Sequence, residues 1–496
     1  MTKANNKKAL LSSAFALVLS VAMLIGTTFA WFTDTASTGV NKIVSGNLKV
    51  DIIGENSDSH IEKLDFKKAA ATDAEAGAAI LWEPGCRYLT EGFRIANKGN
   101  LALKWKAQVN MNNIINGKVE GSTIAKDGKS LLDVIDFYVV TSTDENAEAV
   151  AIENFVGNLK KTETSEVYYI KGVMQTTAGN DYQDLTLDGI TVTVIATQDT
   201  VENDSFGNQY DKDAEYPILV TTGDELQAIV SNATAPVNIV LANSITTNNF
   251  VIPADKDVTL DLNGRTVTNA GSHTILNQGH LTLTDSSADK SGQIISLKGN
   301  TAALRNGDNA VCVVEGGTIS RDGANGNTWH VVENFGKMTF NGGKVVLKNG
   351  NGFAITNGWN YFDPGASTTH AVMEINALEL DTDSSGIKNC RYGDLTVNDA
   401  TVTSTGYWAL SNDYLGTAVI NGGTLTSNSF KAVSNGAAMT VNGGTFDGTE
   451  GLFVQSYATF TVLNGGTFAN MNVDALSSYV GTGHTAQQSG TSVIIK

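Results

Sequence analysis

Residues 393–446 read GDLTVNDATVTSTGYWALSNDYLGTAVINGGTLTSNSFKAVSNGAAMTVNGGTF. Asn398, Asn421 and Asn442 each open a tight turn, the last two with a Gly pair behind them. Val397, Ile420 and Val441 stand one residue before these turns, and Val402, Leu425 and Phe446 stand four after. Between the turns, Leu410-x-Asn412 answers Val433-x-Asn435 at the same spacing. Apolar positions held in phase over a period of roughly 22 residues mark a repeat architecture. Strands alternate faces with period two, so the apolar rows point one way. Asn and Gly tolerate left-handed corners. The unit reads as one rung of a parallel β-helix.

The pattern extends in both directions. Turns start at Glu315, Asn341, Asn376, Asn398, Asn421, Asn442 and Asn464. Val314, Phe340, Ile375 and Leu463 complete the row before them; Ile319, Val345, Leu380 and Phe468 complete the row after them. Leu304-x-Asn306, Val332-x-Asn334, Ile355-x-Asn357 and Ile387-x-Asn389 form a second row, in which Val454-x-Ser456 takes the last place. Stacked Asn side chains are expected to hydrogen-bond from rung to rung. From Val258 onward there is room for about ten rungs, a rod of about 50 Å at ~4.8 Å per rung. Cys312 falls in the inward row of Met338, Met373, Leu395 and Met439, as a buried thiol. Tyr216-Pro217 marks a seam, and Thr222-Gly223-Asp224-Glu225 is a capping box. Leu226, Ile229 and Val230 then share one face of a short helix that covers the rod's open end. Residues 217–496 thus resemble the pectin-lyase-like right-handed β-helices of bacterial surface proteins, with VTLDLNGRTV (258–267) as the first rung.

The chain begins differently. Lys7 and Lys8 precede an uncharged apolar run from Ala9 to Ile25, and Thr28-Phe29-Ala30 offers small residues at a peptidase site. Residues 1–30 read as a signal peptide cut between Ala30 and Trp31, delivering the rest outside the cell; a retained anchor is the other reading. Residues 31–216 alternate strand-like segments with polar loops. Tyr88–Ile95, an Asn/Gly turn at 97–100 and Leu101–Val109 read as a hairpin. Leu131–Val140 reads as a short helix running into a strand, Leu187–Thr197 as a strand, and the polar runs near 55–76, 110–130 and 141–165 as loops or partly ordered insertions. The expected fold class is all-β: a jelly-roll-like antiparallel sandwich followed by the β-helix.

The export signal, AWFTDT (30–35), GNLKVDI (46–52), the Pro84-Gly85 turn, IANKGNLALKWKAQV (95–109) and the closing Asn180–Gln183 and Ile195–Gln198 resemble the TasA/camelysin family across residues 7–210. The resemblance implies a Gram-positive exported protein, processed by a dedicated signal peptidase, with a jelly-roll-like sandwich. It also implies assembly into extracellular matrix or biofilm fibres by donation of the new N-terminal strand. Trp31, Phe32, Ile43, Val44, Leu48, Val50 and Ile52 would form that strand; pairing within its own domain is the alternative. Cys86 stands where the family usually has Asp, and the family does not normally carry so large a second half.

Composition narrows the chemistry. The chain has 496 residues, 41% hydrophobic and 17% charged, with 50 Gly and 5 Pro, which suits a turn-rich β protein. Its net charge of -18 repels phosphate backbones, so nucleic acid is an unfavourable partner. Three widely spaced cysteines form neither a disulfide framework nor a zinc pattern. No HExxH occurs, and His60, His273, His280, His330, His370 and His484 are scattered; no metal or cofactor is expected. The SGTSVIIK terminus shows no sorting signal.

An enzyme on such a rod would need clustered acids and a base facing outward. The outward row Val313, Thr339, Glu374, Thr396, Val419, Thr440, Val462 has one carboxylate and no base, and the row after the Gly pairs is mostly Thr. Arg305, Glu333, Lys388 and Arg391 fall near the Asn corner, as a cluster or as a cross-rung salt-bridge ladder. Asp381-Thr382-Asp383 begins like a calcium loop but lacks the distal Glu, so it reads as a turn. Trp329, Trp359, Tyr361 and Trp408 sit in inserted loops or corners, placed either to stack on sugar rings or to pack on the rod's flank. The expectation is a non-enzymatic protein of the extracellular matrix or cell surface. It self-associates through the N-terminal strand, displays the rod, and has glycans or other matrix proteins as partners. A glycan-binding adhesin that does not polymerise is the alternative, and a polysaccharide lyase or hydrolase the remote one.

Overall fold

The computed structural model describes residues 48–496 apart from 62–63, 68–79, 112–113, 116–117, 120–130, 145, 186–189, 200–215, 288, 325–327 and 360–368. Ala30, Trp31, Phe32, Ile43 and Val44 lie outside the described residues, as does Tyr361.

The N-terminal part is antiparallel throughout. Its strands are β1 (Val50–Gly54), β2 (Phe66–Lys67), β3 (Arg87–Thr90), β4 (Phe93–Asn97), β5 (Leu103–Met111), β6 (Ile114–Ile115) and β7 (Lys118–Val119). β8 (Ile135–Val140), β9 (Val150–Ala151), β10 (Val156–Leu159), β11 (Tyr169–Met174) and β12 (Ile190–Gln198) follow. One sheet runs β2-β3-β11-β8-β9, another β10-β5-β12, and β1 pairs with β4. Ile95, Leu103, Val139 and Ile170, from β4, β5, β8 and β11, fill a single core. Trp105 meets Phe155 edge-on at 4.8 Å, and Phe155 meets Tyr168 at 4.6 Å. The indole lies against Gly157, where a Cβ would come within 2.6 Å of it.

Two expectations change here. The hairpin read between Tyr88–Ile95 and Leu101–Val109 does not form, because β4 pairs with β1 while β5 pairs with β10 and β12. The Asn97–Asn100 turn instead carries the chain from one sheet to another. Buried Asn97 makes this possible: its amide donates to Leu101 O at 2.7 Å and Lys160 O at 3.0 Å, and its Oδ1 accepts from Gly99 N at 2.9 Å. The polar runs 55–76, 110–130 and 141–165, read as loops or partly ordered insertions, contain β2, β6 and β7, and β9 and β10, respectively. Val50 and Ile52 sit opposite Asn97 and Ile95 of their own chain, and Ile52 O accepts from Ile61 N at 3.0 Å on the other edge. Leu48 precedes β1 and is exposed. Two readings hold: Leu131–Asp133 is one helical turn leading into β8, and β12 is the strand at the domain's end.

The C-terminal part is a parallel β-solenoid of about ten turns. Each turn contributes a strand to each of three sheets. The first sheet starts at β13 (Ile218–Val220) and ends at Phe460–Leu463; the second starts at Ile245–Thr247; the third runs from Val251–Ile252 to Leu452–Val454. Both apolar rows stack in the register read from the sequence. Val314, Phe340, Ile375, Val397, Ile420, Val441 and Leu463 are successive partners, as are Ile319, Val345, Leu380, Val402, Leu425, Phe446 and Phe468. All are buried. Two details differ. The solenoid starts before Val258, since Ile218–Val220 and Val237–Leu241 already pair in parallel. At the far end Leu452 and Val454 follow Val433 and Asn435, so Val454, not Ser456, takes the last Asn place.

Two asparagine ladders run along the rod. In the inner one, Nδ2 of Asn277, Asn306, Asn334, Asn357, Asn389 and Asn412 each donates to Oδ1 of the next member, ending at Asn435, at 2.7–2.9 Å. Beyond it, Asn435 Nδ2 donates to Thr461 Oγ1 at 2.8 Å. The outer ladder follows the Gly-pair turns in the opposite sense. Asn464, Asn442, Asn421, Asn398 and Asn376 each donate back to the preceding Asn at 2.7–2.9 Å, and Asn341 donates to Glu315 Oε1 at 2.8 Å.

Both ends are closed. α1 (Gly223–Asn232) buries Leu226 and Val230 against the first rungs. Thr222 Oγ1 accepts from Glu225 N, while the Glu225 carboxylate accepts from Thr221 N rather than from the cap residue itself. At the other end Gly466–Phe468 pairs antiparallel with Ser492–Ile495, which pairs antiparallel with Ala486–Ser489. α2 (Val473–Leu476) packs beside them with Leu476 buried. Ile195 of β12 packs with Leu219 and Ala242 at the rod's first turns.

Candidate functional site: the charged and aromatic flank of the rod

The third sheet carries most of the side chains that could make chemistry or contact. Leu304 and Asn306 point inward, so Arg305 between them points out. In register with it stand Glu333, Thr356, Lys388, Ser411, Ser434 and Phe453. Arg305 Nη1 contacts Glu333 Oε2 at 3.0 Å, and its guanidinium lies 4.5 Å from the Phe335 ring centre. Glu333 Oε1 accepts from Trp329 Nε1 at 2.9 Å. Both carboxylate oxygens are therefore engaged, in a residue only 4% exposed. This ties the loop before the strand to the rung and fixes the Trp329 indole edge, while the residue stays 36% exposed.

Arg305 and Glu333 are brought together, but Lys388 and Arg391 do not join them. Lys388 lies two rungs on, paired with Asp413 at 3.2 Å. Arg391 sits at a corner over the Tyr392 ring at 4.7 Å and donates to its hydroxyl at 3.1 Å. Arg305–Glu333 and Lys388–Asp413 are separate ion pairs along the flank, and Arg391 rests on an aromatic ring instead. Other cross-rung pairs are Lys344–Glu379 and Lys348–Asp381, the latter at 2.8 Å. Asp383 accepts from Asn349 N at 2.6 Å, so the Asp381–Asp383 stretch serves turns and ion pairs. Among the described residues no group of three or more His, Cys, Asp or Glu is placed to hold a metal ion.

The aromatics divide. Trp359 is 9% exposed and packs against Phe335 at 4.4 Å, so its ring faces offer no stacking surface. Trp408 is half-buried, edge-on to Phe430 at 4.5 Å and nearly parallel to Phe453 at 6.3 Å. Tyr407 stands exposed beside it.

Behind this flank lies a buried polar group that the sequence reading missed. Arg321 is 1% exposed, in the inward row of the second sheet, where Nη2 donates to Ser296 Oγ at 2.6 Å and Nη1 to Lys298 O at 3.0 Å. Burial lowers its pKa to about 10, opposed by the charge of Glu333. The signal was present: Ile319 points inward, and two residues along a strand returns to the same face. Burial also holds His330 and His273 below the usual histidine value, with Glu333 pulling the other way. His330 Nδ1 sits 3.1 Å from Phe353 O, and His273 Nδ1 accepts from Ala302 N at 2.8 Å. Where the first and second sheets meet, an open groove of about 700 Å³ is lined by Gly343, Glu379, Asp381, Asp399, Thr401 and Thr403.

No family model matches the chain, and neither the curated proteins nor the solved structures compared with it show a match.

Proposed function

We propose that the chain is an exported, non-catalytic structural protein of the cell surface or extracellular matrix, in which the solenoid serves as a rigid display rod. The observation that carries this reading is the disposition of charge on the rod. Its regular outward rows hold ion pairs, threonines and valines, and its one deeply placed flank carboxylate, Glu333, has both oxygens occupied. Such a carboxylate holds a loop and leaves no free base facing a substrate.

Self-association through the N-terminal segment belongs to the same proposal and follows from the resemblance of residues 7–210 to fibre-forming proteins. Val50–Gly54 pairs with Phe93–Asn97 of its own chain, so the segment proposed for donation is residues 31–47, freed by signal peptidase between Ala30 and Trp31. Electron microscopy of a chain starting at Trp31, beside one starting at Leu48, tests it. Filaments from the first alone support donation; monodisperse rods from both remove polymerisation from the proposal and leave the display rod.

A second reading, a surface adhesin that binds glycans, is favoured by one observation: the indole of Trp329 is held by Glu333 in a residue that remains exposed. Binding to immobilised polysaccharides that drops with Trp329→Ala but not with Trp359→Phe supports it.

A further inference from the structure

The two asparagine ladders differ in how they hold the backbone that follows them. In the outer ladder, Asn341, Asn421 and Asn442 are exposed and each precedes a glycine. The backbone N–H of Gly342, Gly422 and Gly443 donates to no protein group among the described residues. In the inner ladder, Asn306, Asn357 and Asn435 also precede glycines, but their side chains are fully buried. There Gly307 N donates to Asn277 O at 2.8 Å, Gly358 N to Asn334 O at 2.9 Å, and Gly436 N to Asn412 O at 2.7 Å. The other outer members are held as well. Ala377 N, after Asn376, donates to Phe340 O at 3.2 Å, and Asp399 N, after Asn398, to Ile375 O at 3.3 Å. Asn464 lies under the closing segment, with Gly481 directly against its Oδ1.

The geometry points to Asn341, Asn421 and Asn442 as the ladder positions that undergo spontaneous deamidation, while the equivalent Asn–Gly pairs of the inner ladder are protected. The following backbone nitrogen loses its proton and attacks the side-chain Cγ. A C–N bond closes a five-membered succinimide, and Nδ2 leaves as ammonia. Water then opens the ring to aspartate or isoaspartate, so amide and water become carboxylate and ammonium. Glycine has no Cβ to obstruct ring closure, and a nitrogen already donating to a carbonyl is not free to attack. Water supplies the second step, and the inner corner is buried.

Each conversion changes the outer ladder. Asn421 stops donating to Asn398 Oδ1, a bond of 2.7 Å, and a carboxylate oxygen faces that oxygen instead. At Asn341 the new carboxylate stands opposite Glu315, its partner at 2.8 Å. Like charges on neighbouring strands repel. The outer corner therefore gains negative charge with age while the inner ladder keeps the rungs in register.

Prolonged incubation of the full chain in mildly alkaline buffer, followed by peptide mapping with mass spectrometry, tests this. Aspartate and isoaspartate are expected at 341, 421 and 442 at least ~tenfold faster than at 306, 357 and 435, because the buried sites react only through opening of the fold. The difference should vanish in denaturant, where all six share the Asn–Gly sequence. Equal rates in the folded chain would overturn the proposal. So would a gap that persists in denaturant, or outer sites that remain intact while the denatured chain reacts.

Discussion

Asn334 donates its side-chain amide to Asn357 Oδ1 at 2.7 Å, in a corner with no access to solvent. Asn357 passes its own amide to Asn389 at 2.9 Å and also reaches Asp394 O at 3.2 Å. One side chain thus joins three turns of the rod. Asn357→Ala strands the Asn334 amide and the carbonyls that Asn357 served, and is expected to lower solenoid stability by about 2–4 kcal/mol. Asn421→Ala, on the solvated outer ladder, is expected to cost about 1 kcal/mol or less. Chemical denaturation of the two variants measures the contrast.

Thiol labelling separates the cysteines. Burial pushes the Cys312 and Cys390 thiols up to about 12, so neither supplies thiolate near neutral pH. Cys86 is only half-buried. A maleimide is expected to modify Cys86 in the folded chain and the other two only after unfolding, read as the mass added before and after denaturant.

His273 and His330 make the rod sensitive to acid. Their folded pKa values lie below the ordinary 6.5 because burial disfavours the charged ring. The unfolded chain therefore takes up protons first as pH falls, so stability is full above 6.5 and declines below it toward the depressed folded values. Glu333 pulls both rings toward the charged form, and Arg305 beside His273 opposes it. Unfolding midpoints between about pH 7.5 and about pH 5.5 should fall, and should fall less for the double variant His273→Gln, His330→Gln.

Gly157 tests the N-terminal core. A Cβ there would sit 2.6 Å from Trp105 Cζ2 and 2.8 Å from Cε2, and the indole is already fully buried. Gly157→Ala is expected to displace the ring and cost about 1–3 kcal/mol. A shift in tryptophan emission together with a lower unfolding midpoint of this domain would report it.

The solenoid was legible because one constraint repeats. Every rung must place an apolar residue before and after the same turn, so a wrong register at one rung is corrected by its neighbours. At the last rung that redundancy ends, and there the reading slipped: Val454-x-Ser456 imitates the motif, but Leu452 holds the core. At the other end Ile275-x-Asn277 carries the motif, but the rung before it places Ile252 in the Asn position, so the ladder begins at Asn277 with no earlier member to mark its phase. The sandwich was less legible because its pairings are long-range. Nothing local to Asn97–Asn100 distinguishes a hairpin turn from a crossing between sheets; the carbonyl of Lys160, more than sixty residues on, decides it. On the flank, pairing of Arg305 with Glu333 followed from phase alone. The burial of Trp359 did not, since it depends on Phe335, a corner residue outside every repeated row.

The antiparallel turnback at Ser492–Ile495 and the helix over the first rungs have a consequence for scale. A solenoid with bare ends could lengthen by stacking on its neighbours, and its reach would depend on concentration. Here both growing faces are shut, so reach is written in the gene: inserting or deleting a unit of roughly 22 residues moves the far end by ~4.8 Å and leaves both termini as they were. The rod's length is one that evolution can set a rung at a time.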